Sequence, residues 1–182
     1  MTPIEEILQV EREADILYTE AELESAIDRV AEQIEARLAN SNPVILTVLN
    51  GGIIFAGKLI PRLRFPLQID SVQASRYRGE TSGGQIQWLL KPSLPLLGRT
   101  VLLTDDILDE GLTLSAITEW CKEQGAADIL IAVLLDKQIG RERPCRADFV
   151  GLEVENRYLF GYGLDYKNYL RNAPGIFACK GL

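Results

Sequence analysis

The sequence contains no histidine, few cysteines and no long apolar run. Without histidine, the chain has neither a Ser-His-Asp triad nor an HExxH zinc site. No apolar run approaches the ~20 residues that a membrane-spanning helix needs. The acidic start, MTPIEEILQVEREAD, is not typical of a signal or transit peptide. The three cysteines lack metal-ligand spacing, which predicts free thiols in a reducing, cytoplasmic compartment.

Positive charge is scarce as well. The 182 residues carry a net charge of -7, and residues 1–40 hold 11 acidic and only 3 basic side chains. The acidity therefore belongs to the N-terminal segment. Such a surface is a poor partner for nucleic acid, so we expect small-molecule partners, neither nucleic acid nor membrane.

Strand-like and helix-like segments alternate along the chain. A capping box at Thr19 and Glu22 predicts a helix over 19–39. Apolar runs at 44–49, 100–104 and 128–135 are typical of strands buried on both faces of a parallel sheet. Further strands are predicted at 67–76 and 85–90, and helices at 53–62 and up to about 124. The pattern indicates one α/β domain over 1–182, a mainly parallel sheet flanked by helices.

The segment 101–114, VLLTDDILDEGLTL, combines several features of a ligand site. Asp105 and Asp106 follow an apolar strand, where ligands bind in open α/β sheets. The next loop leads into a helix N-terminus, whose free amides attract phosphate, and Gly111 permits close backbone approach. An isolated pair of aspartates is usually a helix cap. The complete pattern is far more specific and suggests a sugar phosphate, with Asp109 as a candidate base.

Residues 101–114 resemble the phosphoribosyl-pyrophosphate (PRPP) signature of type I phosphoribosyltransferases. In collinear order, Leu49–Gly52 resembles the pyrophosphate loop of that family, and the glycine-rich stretch from Ser75 resembles its flexible catalytic loop. Residues 134–137, 148–152, 160–166 and 169–171 resemble the hypoxanthine-guanine branch. The resemblance spans roughly 44–180. It implies the type I phosphoribosyltransferase fold, with a small hood formed by residues 1–40 and about 155–182.

The resemblance also implies an activity: transfer of the phosphoribosyl group of PRPP to hypoxanthine or guanine, releasing pyrophosphate, with Mg²⁺. The 5'-phosphate would be held mainly by backbone amides of the loop Asp109, Glu110, Gly111, Leu112 and Thr113. The ribose hydroxyls would meet Asp105 and Asp106, directly or through the metal, and Asp165 would be a further metal contact.

Pyrophosphate would be bound by Asn50, Gly51, Arg76 and Arg171, under a flexible loop that includes Ser75, Arg76 and Tyr77. In this family the loop at Asn50 contains a cis peptide bond that does not precede proline. The family commonly has a basic residue at the position of Asn50, so we expect Arg76 to replace that charge.

Glu110 and Leu112, in the phosphate loop, also depart from the family, which often has threonine and a basic residue at these positions. We expect the Glu110 side chain to point to solvent.

The purine would be recognised by Lys137, Tyr158, Leu159 and Asp165. Lys137 would donate to the exocyclic oxygen, Tyr158 would stack on the ring, and the backbones of Leu159 and Asp165 would meet its edge. Asp109 would act as general base near N7.

Several alternatives remain open at this stage. Lys137 argues against an adenine enzyme. It does not argue against a xanthine-preferring enzyme, because xanthine has the same 6-oxo group as hypoxanthine and guanine. A non-catalytic PRPP- or purine-binding regulator usually has an added basic region, which this chain lacks. A response-regulator receiver would need its aspartate and lysine at different strand positions. The family further implies a homodimer or homotetramer.

Overall fold

A computed structural model describes residues 2–76 and 86–181, excluding the side chain of Arg76. Its main sheet consists of β2 (Val44–Val48), β3 (Gln68–Arg76), β4 (Ile86–Leu90), β5 (Thr100–Leu108), β6 (Asp128–Gln138) and β7 (Phe149–Glu155). The strand order is β4-β3-β2-β5-β6-β7. Every neighbouring pair is parallel except β3 and β4. The predicted mainly parallel α/β sheet is therefore confirmed.

Helices cover both faces of this sheet. The described helices are α1 (Pro3–Glu13), α2 (Glu20–Leu38), α3 (Ile53–Leu59), which continues as a 3-10 turn at Ile60–Arg62, and α4 (Leu112–Glu123). On β2, Ile45 packs in the cluster that contains α2 and α3, while its neighbour Leu46 packs in the cluster that contains α4. Successive strand residues point to opposite faces, which explains why the strand reads as a continuous apolar run. No helix in the described part of the chain is long and apolar enough to cross a membrane.

Helix α2 begins as the sequence predicts. Thr19 and Glu22 form a capping box, with the Thr19 amide donating to Glu22 Oε2 at 2.8 Å. The stripe Leu23, Ile27, Val30, Ile34 and Leu38 is buried. These side chains share one cluster with residues of the main sheet and with Leu159, Ile176 and Ala178 near the C-terminus, so α2 packs against the main sheet and against the C-terminal segment.

A second, three-stranded sheet joins the two ends of the chain. It contains β1 (Asp15–Thr19), β8 (Leu159–Phe160) and β9 (Gly175–Ala178), in the order β1-β9-β8. Both pairs are antiparallel. Ile7 of α1 packs with Phe160, Tyr166 and Cys179 beneath this small sheet. The N- and C-terminal segments thus meet, as expected for the hood.

Strand β5 is longer than the sequence indicates. The expected strand ends at Thr104, whereas the ladder with β6 continues to the pair Leu108 and Asp136. Asp105 and Asp106 therefore belong to the strand and not to the following loop. The extended ladder fixes the direction of both side chains at the carboxyl end of the sheet.

Candidate active site

The carboxyl ends of β2 and β5 open into a cavity of about 1020 Å³. A smaller cavity of about 280 Å³ lies beside it and is lined by Lys137, Tyr158, Leu159 and Asp165. Both cavities share Asp106, Ile107 and Asp109 in their walls. Other predicted residues line the larger cavity: Asn50, Gly51, Asp105, Glu110, Gly111, Leu112, Thr113 and Arg171.

Asp105 and Asp106 place two carboxylates at the floor of the larger cavity. Asp106 is buried; its Oδ1 accepts a hydrogen bond from the Ile107 amide at 2.8 Å. Burial and the nearby charge of Asp106 raise the pKa of Asp105 well above its usual range, and Arg171 opposes that rise. Burial raises the pKa of Asp106 as well. The floor of the cavity is therefore an environment in which a cation is favoured.

The loop after β2 packs directly onto this pair. The peptide bond Leu49–Asn50 is cis, as the resemblance implies. A Cβ atom on Gly51 would lie 2.2 Å from Asp106 Oδ2, and one on Gly163 would lie 2.2 Å from the Gly51 carbonyl oxygen. Side chains at 51 or 163 would push the loop away, so both glycines keep the predicted pyrophosphate loop against the carboxylates.

The predicted phosphate loop leads into α4. Gly111 has φ 76° and precedes the helix without a side-chain cap. The first amides of a helix lack intrahelical acceptors and attract anions. Cys145 donates its Sγ–H to the Gly111 carbonyl at 3.3 Å.

Glu110 is exposed, and its carboxylate forms an ion pair with Arg141. Arg141, which was not predicted as a site residue, also lines the large cavity. The ion pair counters the negative charge that Glu110 brings to the loop. It also keeps a cationic side chain beside the predicted phosphate position.

Asp109 and Lys137 form an ion pair, with Lys137 Nζ 2.9 Å from Asp109 Oδ2. The Lys137 side chain is only 12% exposed, against 47% for Asp109. Both residues were predicted to lie near the purine, but their ion pair was not predicted. The strand register explains why the two residues are near each other: the ladder between β5 and β6 ends with Leu108 opposite Asp136, and Asp109 and Lys137 directly follow that last pair.

Residues in β8 and on either side of it supply the other predicted side chains of the site. Arg171 donates to the Gly163 carbonyl at 2.7 Å and forms an ion pair with Asp165 at 2.8 Å. Tyr158 is half-exposed and meets Tyr166 edge to face. Leu159 is buried. Among the described residues no three carboxylate, cysteine or histidine side chains converge on a metal position; Asp165 instead pairs with Arg171.

The predicted flexible loop begins at the end of β3 and lies mostly outside the described residues. Tyr77 and the side chain of Arg76 lie outside the described residues. Ser75 belongs to β3. The predicted flexible loop therefore remains an expectation from the sequence.

Comparison with known proteins identifies the family. The phosphoribosyl transferase domain model matches residues 13–167. The hypoxanthine-guanine phosphoribosyltransferase of Bacillus subtilis is 34% identical over 91% of this chain and 92% of its own length. The hypoxanthine-guanine-xanthine phosphoribosyltransferase of Tritrichomonas foetus is 33% identical over 91% of each chain. A solved hypoxanthine phosphoribosyltransferase from Staphylococcus aureus superposes with a TM-score of 0.86 at 29% identity, covering 91% of each chain. The chain belongs to the phosphoribosyl transferase domain family.

Proposed function

We propose that this protein is a purine salvage enzyme that transfers the 5-phosphoribosyl group of PRPP to hypoxanthine or guanine. The products are IMP or GMP and pyrophosphate. The observation that carries the proposal is the Asp109–Lys137 pair, which lies where the two cavities meet. One cavity is large and polar enough for PRPP, and the other has the aromatic and apolar walls that suit a purine. The names of the relatives from Bacillus subtilis and Tritrichomonas foetus support the same activity.

The 5'-phosphate would lie in the loop Asp109–Thr113, held by amides at the start of α4. The left-handed Gly111 supports this role because it turns the backbone toward the cavity without a capping side chain. Arg141, beside Glu110, would add a compensating charge to a loop that has Leu112 where relatives often have a base.

The ribose hydroxyls would be oriented by Asp105 and Asp106, which would also hold Mg²⁺. Their fit to this ion rests on the donor set: two adjacent carboxylates, Asp106 buried and Asp105 partly buried. Burial raises the pKa of both, and the charge of Asp106 raises that of Asp105 further. Carboxylate oxygens suit Mg²⁺, which keeps several water ligands. When bound, the ion would offset the charge of the diphosphate. Asp165 would be a second metal contact, beside the purine.

The diphosphate would lie between the Asn50–Gly51 loop and Arg171. Arg171 supports this role because it lines the same cavity and is held in place by Gly163 and Asp165. Negative charge grows on the departing diphosphate, so a fixed guanidinium would stabilise the transition state more than the ground state. For Ser75, Arg76 and Tyr77 the proposed contribution rests on the sequence resemblance alone.

The purine would occupy the smaller cavity, with Tyr158 against the ring and Leu159 and Asp165 at its edge. Lys137 and Asp109 would present a donor and an acceptor side by side. This arrangement matches the 6-oxo oxygen and the adjacent N7 of hypoxanthine or guanine, and Asp109 would accept the N7 proton. Adenine has an amino group at position 6, so its donors would face the donors of Lys137.

Steady-state assays with PRPP and four purine bases test this function. We expect Mg²⁺-dependent turnover of hypoxanthine and guanine, and a kcat/KM for adenine at least ~100-fold lower. Assays with excess chelator are the control for the metal. Equal kcat/KM for adenine and hypoxanthine would contradict the role of Lys137.

Xanthine is the second candidate substrate. It shares the 6-oxo group that Lys137 would bind, and the Tritrichomonas foetus relative is named for hypoxanthine, guanine and xanthine. A higher kcat/KM for xanthine than for hypoxanthine in the same assays would favour a xanthine-preferring enzyme. Binding of PRPP without turnover of any base would favour a regulator.

We also propose that the protein works in the cytoplasm as a homodimer or homotetramer. All three cysteines are free, in keeping with a reducing compartment. Large apolar side chains are exposed, including Ile16, Ile53 and Leu97, and such surfaces often mark contacts between subunits. Sedimentation equilibrium measures the oligomeric state directly, and a monomer at micromolar concentration would contradict this part of the proposal.

A further inference from the structure

Arg143 lies behind the active site, on the connection between β6 and β7. Its side chain is only 16% exposed. Nη1 donates toward three backbone carbonyls: Leu108 at 3.0 Å, Asp109 at 3.4 Å and Lys137 at 3.2 Å. One guanidinium nitrogen thus contacts the backbones of both residues that would recognise the purine.

Asp136 gives this guanidinium its counter-charge. Nη1 of Arg143 lies 2.7 Å from Asp136 Oδ1, and the Asp136 side chain is 18% exposed. That oxygen is buried and accepts no hydrogen bond within the described residues, so the ion pair with Arg143 is what compensates its charge. A buried ion pair is costly to break because the partner left behind is unpaired. Arg143 is therefore held firmly in the position from which it reaches the carbonyls.

The strands alone do not fix the spacing between Asp109 and Lys137. The ladder between β5 and β6 ends at Leu108 and Asp136. Lys137 remains paired on its other side, with Val154 of β7. Asp109 has left the ladder, so its backbone position depends on contacts such as the one with Arg143.

The same connection supports the start of the phosphate loop. A Cβ atom on Gly111 would lie 3.1 Å from Cys145 Sγ and 3.7 Å from Arg143 Cβ. The loop thus rests on the segment that carries Arg143. Movement of this segment would reach the proposed base and the proposed phosphate site together.

We propose that Arg143 is a positioning residue that sets the separation of Asp109 and Lys137. This inference rests on the proposed function, since it concerns how that site selects a 6-oxopurine. The guanidinium would hold the two backbones so that the donor of Lys137 and the acceptor of Asp109 reach O6 and N7 simultaneously. Loss of Arg143 would loosen this pair, and the preference for hypoxanthine over adenine would fall together with turnover.

The test uses the full-length enzyme and two substitutions made together, Arg143→Gln and Asp136→Asn. The double variant removes the ion pair without leaving an unpaired buried charge, so it is expected to fold; its thermal midpoint is measured first. A misplacement of about 1 Å costs up to ~100-fold in rate. We expect kcat with hypoxanthine to fall about 10- to 100-fold. The ratio of kcat/KM for hypoxanthine to that for adenine should also fall, because adenine does not use the Lys137 donor.

Two single variants, one conservative and one a control, test the proposal further. Arg143→Lys keeps a cation and donors near Asp136, so its kcat and base preference should lie between those of the wild type and the double variant. Arg146→Gln changes an exposed arginine on the same connection and should leave both quantities at wild-type values. A merely structural role would lower the active fraction and reduce turnover of all bases alike, without changing the ratio.

If the wild type is active and the double variant keeps the wild-type ratio of kcat/KM for hypoxanthine to that for adenine, the role of Arg143 is overturned and the proposed function stands. A wild type inactive toward every 6-oxopurine would overturn the proposed function and with it the role assigned to Arg143. The two failures are therefore distinguishable.

Discussion

Gly51 leaves no room for a side chain, and we expect a single added methyl group to disrupt the active site. An added Cβ would lie 2.2 Å from a carboxylate oxygen of Asp106, well inside van der Waals contact, so the loop or the carboxylate must move. We expect Gly51→Ala to lower kcat/KM for PRPP at least ~100-fold, because small displacements at a reacting centre have large effects on rate.

Gly57→Ala is the matched control for this change. Gly57 lies within α3, and nothing lies within 4 Å of its added Cβ. Alanine is favoured over glycine in a helix by roughly 0.5–1 kcal/mol. This variant should keep full activity and unfold at a slightly higher temperature. Near-normal kinetics for Gly51→Ala would contradict the packing of the loop on Asp106.

Asp109 is expected to act through its charge and basicity. Asp109→Asn keeps the shape of the side chain and removes the acceptor for the N7 proton. We predict a decrease in kcat of about 10- to 10,000-fold, the usual range for acid–base catalysis. Asp128→Asn, at an exposed aspartate on the opposite end of β6, is the control. Unchanged kcat for Asp109→Asn would show that Asp109 only shapes the loop.

At the scale of elements, Glu24 joins α2 to α3 and to the segment after β8. Lys58 lies 2.7 Å and Arg62 2.6 Å from its carboxylate oxygens, and Tyr162 donates its hydroxyl to the same carboxylate. Burial opposes ionisation, yet hydrogen bonds from Lys58, Tyr162 and Arg62 lower the pKa of Glu24 to about 2. Because α3 follows the pyrophosphate loop, this network anchors one wall of the site.

The lowered pKa predicts the pH dependence of stability. A carboxylate with a depressed pKa in the folded state stabilises the fold above its unfolded pKa, near 4.5, and that contribution is lost as pH falls toward about 2. Glu24→Gln should lower the free energy of unfolding by about 2 kcal/mol at pH 7, with a shrinking difference below pH ~4.5. Urea unfolding measures both values. Glu32→Gln, at an exposed position of α2, should change neither; a Glu24→Gln difference independent of pH would contradict this account.

The sequence predicts the strands and helices whose residues follow one hydrophobic pattern throughout. Strands β2 and β6 have continuous apolar runs because both of their faces are buried. Strand β1 was missed because its five residues have no apolar alternation, and its partner β9 lies at the other end of the chain. Helix α1 was not predicted, although Thr2 and Glu5 form a capping box at its start.

Contacts between the loops are harder to predict from sequence. Asp109 and Lys137 directly follow Leu108 and Asp136, the last ladder pair of β5 and β6, so the strand register brings them near each other without fixing their exact spacing. The contacts of Arg141 with Glu110 and of Arg143 with Leu108 instead join residues 31 and 35 positions apart. They depend on how the β6–β7 connection turns back, which no local pattern determines.

At the scale of the whole molecule, the proposed purine cavity lies between the two sheets. Asp109 and Lys137 come from the main sheet, whereas Leu159 belongs to the small sheet and Tyr158 directly precedes it. A ligand that binds only the folded state, present at a concentration of 100 times its Kd, stabilises that state by ~2.7 kcal/mol. For a chain of 182 residues, this corresponds to a rise in Tm of roughly 5–10 °C.

We therefore predict that GMP with Mg²⁺ raises Tm by several degrees and that AMP at the same concentration raises it far less. The reason is that Lys137 meets an acceptor in GMP and an amino group in AMP, and an unmatched donor weakens binding. Differential scanning fluorimetry measures both shifts. Lys137→Ala should abolish the difference between the nucleotides, whereas Lys122→Ala, at an exposed lysine of α4 paired with Glu119, should preserve it. Equal shifts for GMP and AMP in the wild type would mean that the 6-oxo group is not read, and a difference that survives Lys137→Ala would mean that another residue reads it.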